Sequence, residues 1–390
     1  MIVKKICLVF LFVVSAACNS QRTDRALKIV EFNGSGYELG LQHGKALKPE
    51  IASLIKVWKE NTSEVLQRDA DEVLKEFFEY ADFEKDIKKW TPNLYKEIQG
   101  IAEGSQQDFQ DILLLNLLDE FWVYVNNINN TDNHHCSSMG VPETNGRPGY
   151  ISQNMDLESF RDGYQVLMHL EASNNNPEQL ILTYPGLVGL NGLNDKGIGV
   201  VVNTLMQLKA SSEGLPVAFV IRRLINSTDK KDMLDFIQNV KHASGQNYIL
   251  GIQGEVYDFE ASTNEVVRYN PENNNGIVYH TNHPLVNADV KPWFDQFDPS
   301  LAVRKKTNSH YRFDALENRL GDATDVNDQF LISVLSSKDN KDNPVCRANN
   351  GRGGFTFSSV IMTMGENPSL KITAGPPDES EYQTFTFKKK

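Results

Sequence analysis

The stretch Thr131-Asp132-Asn133-His134-His135-Cys136-Ser137-Ser138-Met139-Gly140 sets a thiol at the point where a helical pattern gives way to strands. A cysteine there has a chemistry that an interior residue lacks. If the His135–Cys136 bond is cut, Cys136 becomes the first residue of a new chain. Its freed α-amine then lies beside its own sulfur and can serve as the base that activates it. Three more polar residues stand at the ends of strand-like runs: Asp156, Asn203 and Asn282. A carboxylate can hold an α-amine in place, and amide N–H groups can stabilise a tetrahedral oxyanion, worth about 3–4 kcal/mol per donor. Taken singly, Asp and Asn in such places are ordinary turn residues. The reading depends on their converging on the sulfur.

The same side chains permit other chemistry. His134, His135, Cys136, His280 and His283 include the ligand types of a zinc site. However, adjacent histidines point in different directions and no C-x-x-C or H-E-x-x-H spacing occurs. No metal and no cofactor is therefore expected. A second alternative pairs Cys136 with His280 as base in an uncut chain. A third bridges Cys136 to Cys346 in a non-catalytic surface lipoprotein.

Around these residues the elements alternate in blocks. Helical spacing runs over 49–66, 70–83, 93–103 and, most strongly, 107–125, where Asn116 and Glu120 share a largely apolar face. Both are expected to be buried with partners, since burying them unpaired is costly. The Asn-rich loop 126–133 is expected to be exposed, which suits a cleavage point. Beyond Cys136 come a hairpin around 142–149, strands near 164–170 and 179–184, a tight turn over 192–197, and a strand ending at Asn203. A helix pair follows over 216–225 and 229–240, the second with Thr228 as its expected cap. Strands over 247–269 and 276–285, helices over 300–319 and 326–335, and a closing set of strands complete the chain. This order implies an α+β fold with a four-layer αββα sandwich rather than a βαβ repeat. The Gly351–Gly354 run lacks the lysine of a nucleotide loop and reads as a turn.

Residues 1–18 have the two lysines, apolar run and small residues of an export signal, with Cys18 at a lipoprotein-type cleavage position. The expected division is 1–18 signal, 19–135 helical segment and 136–390 catalytic core. Location follows: exported, periplasmic or on the outer membrane of a bacterium, with membrane attachment only through a lipid on Cys18. There are 39 basic and 51 acidic residues, a net charge of −12. That balance argues against nucleic acid and anionic lipid surfaces as partners and leaves a small molecule.

Several of these pieces, in their order, resemble the acyl-coenzyme A:6-aminopenicillanic acid acyltransferase family of self-cleaving cysteine enzymes, and more distantly the choloylglycine hydrolases. They are Glu38-Leu39-Gly40-Leu41-Gln42-His43-Gly44, Cys136-Ser137-Ser138, Gln153-Asn154-Met155-Asp156, Gly192 to Asn203, His280-Thr281-Asn282-His283, Cys346-Arg347, Ser359-Val360-Ile361-Met362 and Ala374-Gly375-Pro376-Pro377. The resemblance implies an N-terminal nucleophile (Ntn) hydrolase. Cys136 is then nucleophile and cleavage point, Asp156 orients its amine, Asn282 and Asn203 form the oxyanion hole, and Arg347 lies near the pocket. A small amide or acyl substrate and cleaved chains that stay together are implied as well. Departures are His135 where the family often has Gly, and Leu118-Asp119-Glu120 where it often has Arg-Thr-Glu. Gln153 stands where choloylglycine hydrolases have Arg, so bile-salt specificity is not implied.

Overall fold

The β-branched run Ile198-Gly199-Val200-Val201-Val202 is buried along its whole length, as a strand covered on both faces requires. It lies near the middle of an eight-stranded sheet. In spatial order that sheet is β1 (Lys28–Phe32), β4 (Val166–Leu170), β5 (Gln179–Thr183), β6 (Asn191–Asn194), β7 (Ile198–Thr204), β8 (Gln246–Ile252), β9 (Glu255–Ala261) and β10 (Val266–Tyr269). A six-stranded sheet runs β11 (Val278–His280), β2 (Ser137–Val141), β3 (Tyr150–Glu158), β12 (Gly354–Thr363), β13 (Ser369–Ile372) and β14 (Gln383–Thr386). The computed structural model describes residues 25–129, 136–144, 146–173, 176–272, 275–292 and 306–388. The signal segment, Cys18, His134 and His135 lie outside them.

The two sheets face each other through β7 and β8 on one side and β2 and β3 on the other. Helix α8 (Val217–Ile225) packs on β6 and β7, with α9 (Lys230–Asn239) beside it. On the far face of the smaller sheet, α10 (Asn308–Leu320) covers β11 and α11 (Asp328–Leu335) covers β3 and β12. The layers are therefore helix, sheet, sheet, helix, the expected αββα order. Among the described residues seven helices precede β2: α1 (Tyr37–Ala46), α2 (Lys48–Leu66), α3 (Ala70–Tyr80), α4 (Glu84–Trp90), α5 (Pro92–Ser105), α6 (Phe109–Leu115) and α7 (Leu118–Asn129). No helix among the described residues is long and apolar enough to cross a membrane.

Several elements differ from their sequence reading. The long helix expected over 107–125 breaks at Asn116, whose amide donates to the carbonyls of Ile112 (2.8 Å) and Gly186 (2.9 Å). The helix expected over 70–83 ends at Tyr80. The cap of α9 is Asp229, not Thr228: its carboxylate accepts from the Asp232 N–H at 2.9 Å. The turn expected from Gly192 begins as strand β6. Strand β1 pairs in parallel with β4, so the segment before Cys136 and the segment after it share one sheet.

Helix α1 shows no strong apolar stripe because its packing face is made of glycine. Gly40 and Gly44 lie directly on α5, where Gly100 and Gly104 face them. A Cβ at Gly40 would fall 1.9 Å from the Glu97 carbonyl oxygen, and one at Gly100 would fall 2.1 Å from that of Tyr37. Backbone meets backbone here, so nothing flexible can yield. Gly40→Ala is expected to lower the unfolding free energy by about 1–3 kcal/mol through overpacking, read as a lower urea midpoint at unchanged slope.

Candidate active site

Cys136 immediately precedes β2, where it is opposed by the Met155–Asp156 end of β3. It is buried, and its Sγ lies 3.7 Å from the Met155 sulfur. Burial, reinforced by the Asp156 carboxylate, pushes the thiol up to about 12. In a continuous chain near neutral pH the sulfur is thus a protonated, poor nucleophile. Its backbone N–H donates to Asn282 Oδ1 at 2.6 Å.

Asp156 is buried too, and Thr356 Oγ1 donates to its Oδ1 at 2.8 Å. Thr356 is the direct cross-strand partner of Asp156 in the β12–β3 pairing, which sets the two side chains on one face just before a register shift between Thr356 and Ser358. Arg347 Nη1 stands 3.9 Å from the other carboxylate oxygen. Burial raises the Asp156 carboxyl to about 6, against the opposing pull of Arg347, Arg312 and the Thr356 hydroxyl.

Asn282 follows β11 in a loop held on every side. Its backbone N–H donates to Ser309 Oγ at 2.7 Å, and its carbonyl accepts from Gln207 at 3.1 Å. Its side-chain Nδ2 donates to the Thr204 carbonyl at 3.0 Å. Two donors, Cys136 N–H and Arg312 Nη2, converge on its Oδ1, which fixes the orientation of the amide. Asn282 therefore meets the Cys136 nitrogen through its amide oxygen, and one of its two side-chain N–H donors goes to Thr204. The amide oxygen is placed to hold an amine, and the oxyanion role expected of Asn282 would fall to the second N–H.

Asn203 is fully buried between the sheets. It accepts from the Ser138 hydroxyl, and its Nδ2 lies 3.5 Å from the His280 carbonyl. Its neighbours Val202 and Thr204 line the cavity beside Cys136, whereas Asn203 is not part of that wall. It reaches the site through Ser138, two residues along from the nucleophile.

The side chain missed by sequence reasoning is Arg312. Its guanidinium donates to the Cys136 carbonyl, to Ser137 Oγ at 2.9 Å and to Asn282 Oδ1 at 2.9 Å. The available signal was its place among Ser309, Ala315 and Leu316, the buried face of α10 at three- and four-residue spacing.

The rival arrangements fit poorly. His280 Nδ1 donates to the Thr281 carbonyl at 2.8 Å, so that nitrogen carries a proton. Nε2 faces Glu260 Oε1 at 2.8 Å. Burial opposes charge on the ring, but the Glu260 hydrogen bond, the Asp258 and Glu260 carboxylates and the Thr281 carbonyl together outweigh it, and the pKa is raised. Both ring nitrogens are thus turned to Thr281 and Glu260 rather than to the thiol, so the Cys136/His280 pair is not assembled. The disulfide is not formed either: both cysteines are free, and Cys346 Sγ lies 2.9 Å from Asp378 Oδ1. Among the described residues no three potential ligands converge on a metal position.

The cavity before Cys136 measures about 60 Å³. Its wall is largely apolar, with Leu115 and Leu118 from the first part of the chain and Leu157, Leu187, Leu190 and Ile221 from the second. Asp119 lines it as well and accepts from Thr204 Oγ1 (2.7 Å) and Gln246 (3.0 Å). Glu120 accepts from the Val217 N–H (3.1 Å) and Ser244 (2.6 Å), and burial raises its carboxyl to about 7. Asn116 and Glu120 are thus buried with partners, as expected. A roomier cavity of about 150 Å³ lies over the Glu97–Arg222 ion pair and includes none of the residues around Cys136.

The family model for acyl-coenzyme A:6-aminopenicillanic acid acyl-transferase matches residues 141–356. The chain is 26% identical over 366 residues to the 40 kDa form of acyl-coenzyme A:6-aminopenicillanic-acid-acyltransferase from Emericella nidulans, covering 92% of this chain and 96% of that one. Among solved structures, the Caenorhabditis elegans N-acylethanolamine-hydrolyzing acid amidase ortholog aligns with 65% of this chain and 100% of its own, at 16% identity and a TM-score of 0.39. Penicillin V acylase from Agrobacterium tumefaciens aligns with 65% of this chain and 85% of its own, at 13% identity and a TM-score of 0.39.

Proposed function

This chain belongs to the acyl-coenzyme A:6-aminopenicillanic acid acyl-transferase family, whose reactions are amide cleavage and acyl transfer, and from that premise we propose an exported, self-cleaving amidohydrolase with Cys136 as nucleophile. One observation carries the reading. The nitrogen that would become the α-amine is already held by Asn282 at 2.6 Å, beside a thiol whose pKa is about 12 and which needs a base. In the precursor, Cys136 Sγ attacks the His135 carbonyl, the peptide C–N bond breaks, and the nitrogen takes up the thiol proton as an amine. Water then cleaves the thioester, leaving His135 with a carboxylate and Cys136 with a free thiol and α-amine. In the mature enzyme the amine, ordinarily of pKa about 7.7–8.0, accepts the thiol proton. The thiolate attacks a substrate amide, the leaving amine departs with a proton, and water releases the acid.

Hydrolysis is favoured over transfer because, among the described residues, no lysine or arginine lines the cavity to hold a coenzyme phosphate, while Asp119 and Asp156 do line it. The apolar wall favours an apolar acyl group. At about 60 Å³ the cavity is well below the ~300 Å³ of a working ligand site, so it must widen to admit one. Cys18 carries the lipid that anchors the enzyme to the membrane, and the two cleaved chains stay associated. A series of straight-chain N-acyl amides tests the acyl preference. Each added methylene is expected to raise kcat/KM about fourfold until the cavity is filled, following ~0.8 kcal/mol per buried methylene. A preference for acyl groups with a charged end would overturn it.

A further inference from the structure

A guanidinium removed from water is tolerated only where acceptors surround it. Arg312 is fully buried, and its fork engages the groups that matter most to the proposed chemistry. Nη1 donates to the Cys136 carbonyl and to Ser137 Oγ at 2.9 Å, Nη2 donates to Asn282 Oδ1 at 2.9 Å, and Nε is held by Asn308 at 2.7 Å. Cys136 N–H reaches the same Asn282 oxygen at 2.6 Å. The contacts close a ring: from Arg312 to the Cys136 carbonyl, along Cys136 to its nitrogen, across to Asn282, and back to Arg312.

We propose that Arg312 is a positioning residue for amide cleavage, gripping the Cys136 carbonyl and the Asn282 amide oxygen together so that the Cys136 nitrogen stays beside its own sulfur. This rests on the reading of Cys136 as an N-terminal nucleophile. Once the chain is cut, a first residue is free to swing about its single bonds. The grip on its carbonyl removes that freedom and keeps amine and thiol in reacting geometry. The ring also has an electrostatic side. A fixed positive charge beside an amine disfavours its protonation, so Arg312 extends the range of the free-base form towards lower pH. Other charges face the same nitrogen or its neighbours: Asp156 from β3 with Arg347 behind it, Asp119 from α7 with Glu120 next to it, His280 from β11, and His283, stacked on His310, beside Asn282. The carboxylates pull the amine the opposite way. The contribution of Arg312 is therefore read as a difference between variants.

The test compares full-length wild type, Arg312→Gln and Arg312→Lys, each checked for folding by circular dichroism and for cleavage by intact mass. The readouts are kcat and KM on an N-acyl amide, the pH profile of kcat/KM, and the pH dependence of Cys136 alkylation by iodoacetamide. For Arg312→Gln a kcat loss of roughly 10²-fold is expected, the scale of an ångström misplacement of reacting groups. KM should stay within about twofold, and the acid limb should move to higher pH by about one unit. Arg312→Lys keeps the charge but cannot fork two acceptors, so it should lose kcat with the limb unmoved. A folded Arg312→Gln protein with kcat within threefold of wild type and an unmoved limb overturns the proposal. If the Gln variant does not fold, the Lys variant decides: a kcat loss at constant KM supports positioning, and unchanged kcat overturns it. A wild-type chain that stays whole and inactive would instead sink the nucleophile reading.

Discussion

Cys136→Ala is expected to leave the protein in one piece and without amide-cleaving activity, whereas the wild-type chain separates after His135 into two parts. The second part has 390 − 135 = 255 residues and begins at Cys136. That amide turnover needs a cut chain follows from the state of the sulfur in the continuous one. A thiol held at about 12 and packed on Met155 is a very weak nucleophile near neutral pH. The imidazole weighed as its base, His280, has both ring nitrogens engaged. The base proposed for the mature enzyme is the residue's own nitrogen, which acquires a lone pair only when its peptide bond breaks. Removing the sulfur removes both the agent of cleavage and the acyl carrier, so the loss should be roughly 10⁴-fold or more, as for other catalytic nucleophiles. Intact mass of purified protein and N-terminal sequencing of the smaller species check it. A wild-type chain that remains whole while turning over amides would contradict the mechanism, as would an alanine variant that still divides at that bond.

Why some of this was legible beforehand and some was not has a physical basis. Periodicity revealed the blocks of helix and strand, and the hairpin between β2 and β3 was visible because a turn-rich connector separates two apolar runs. That hairpin alone places Asp156 near Cys136. What the pattern does not carry is orientation. Asn282 is recognisable as a polar residue ending a strand, but whether its oxygen or its nitrogen faces Cys136 depends on Arg312 and Thr204, which are remote in sequence. Arg312 looks like any helical arginine until the partners of its helix are known. Helix α1 was obscured because its buried stripe is glycine, which carries no hydrophobic signal. Asn116 ends α6 because its amide bonds Gly186 and Val188, which lie about seventy positions further along.

The second large effect is expected at Glu97. Glu97 on α5 and Arg222 on α8 form a buried two-pronged ion pair, at 2.9 Å and 3.1 Å, and Arg222 also donates to the Val188 carbonyl at 2.7 Å. Their side chains are 2% and 5% exposed. Glu97→Ala leaves the guanidinium buried without its counter-charge, and the expected loss is about 3–5 kcal/mol of stability. Replacing both partners by apolar residues, Glu97→Leu with Arg222→Met, should recover most of that loss, because the desolvation penalty of the charges disappears along with their attraction. The pair has a further consequence if the chain divides after His135. Glu97 then belongs to the first chain and Arg222 to the second, as do β1 and its parallel partner β4. The ion pair becomes a contact between subunits, placed by the glycine seam that seats α1 against the Glu97 carbonyl. Urea unfolding of the uncut Cys136→Ala background isolates the stability term, and gel filtration of the cut protein reports on association. A Glu97→Ala protein within about 1 kcal/mol of its parent would show that Arg222 finds another acceptor. Cut chains that stay together through Glu97→Ala would place their cohesion in the sheet pairing of β1 with β4 instead.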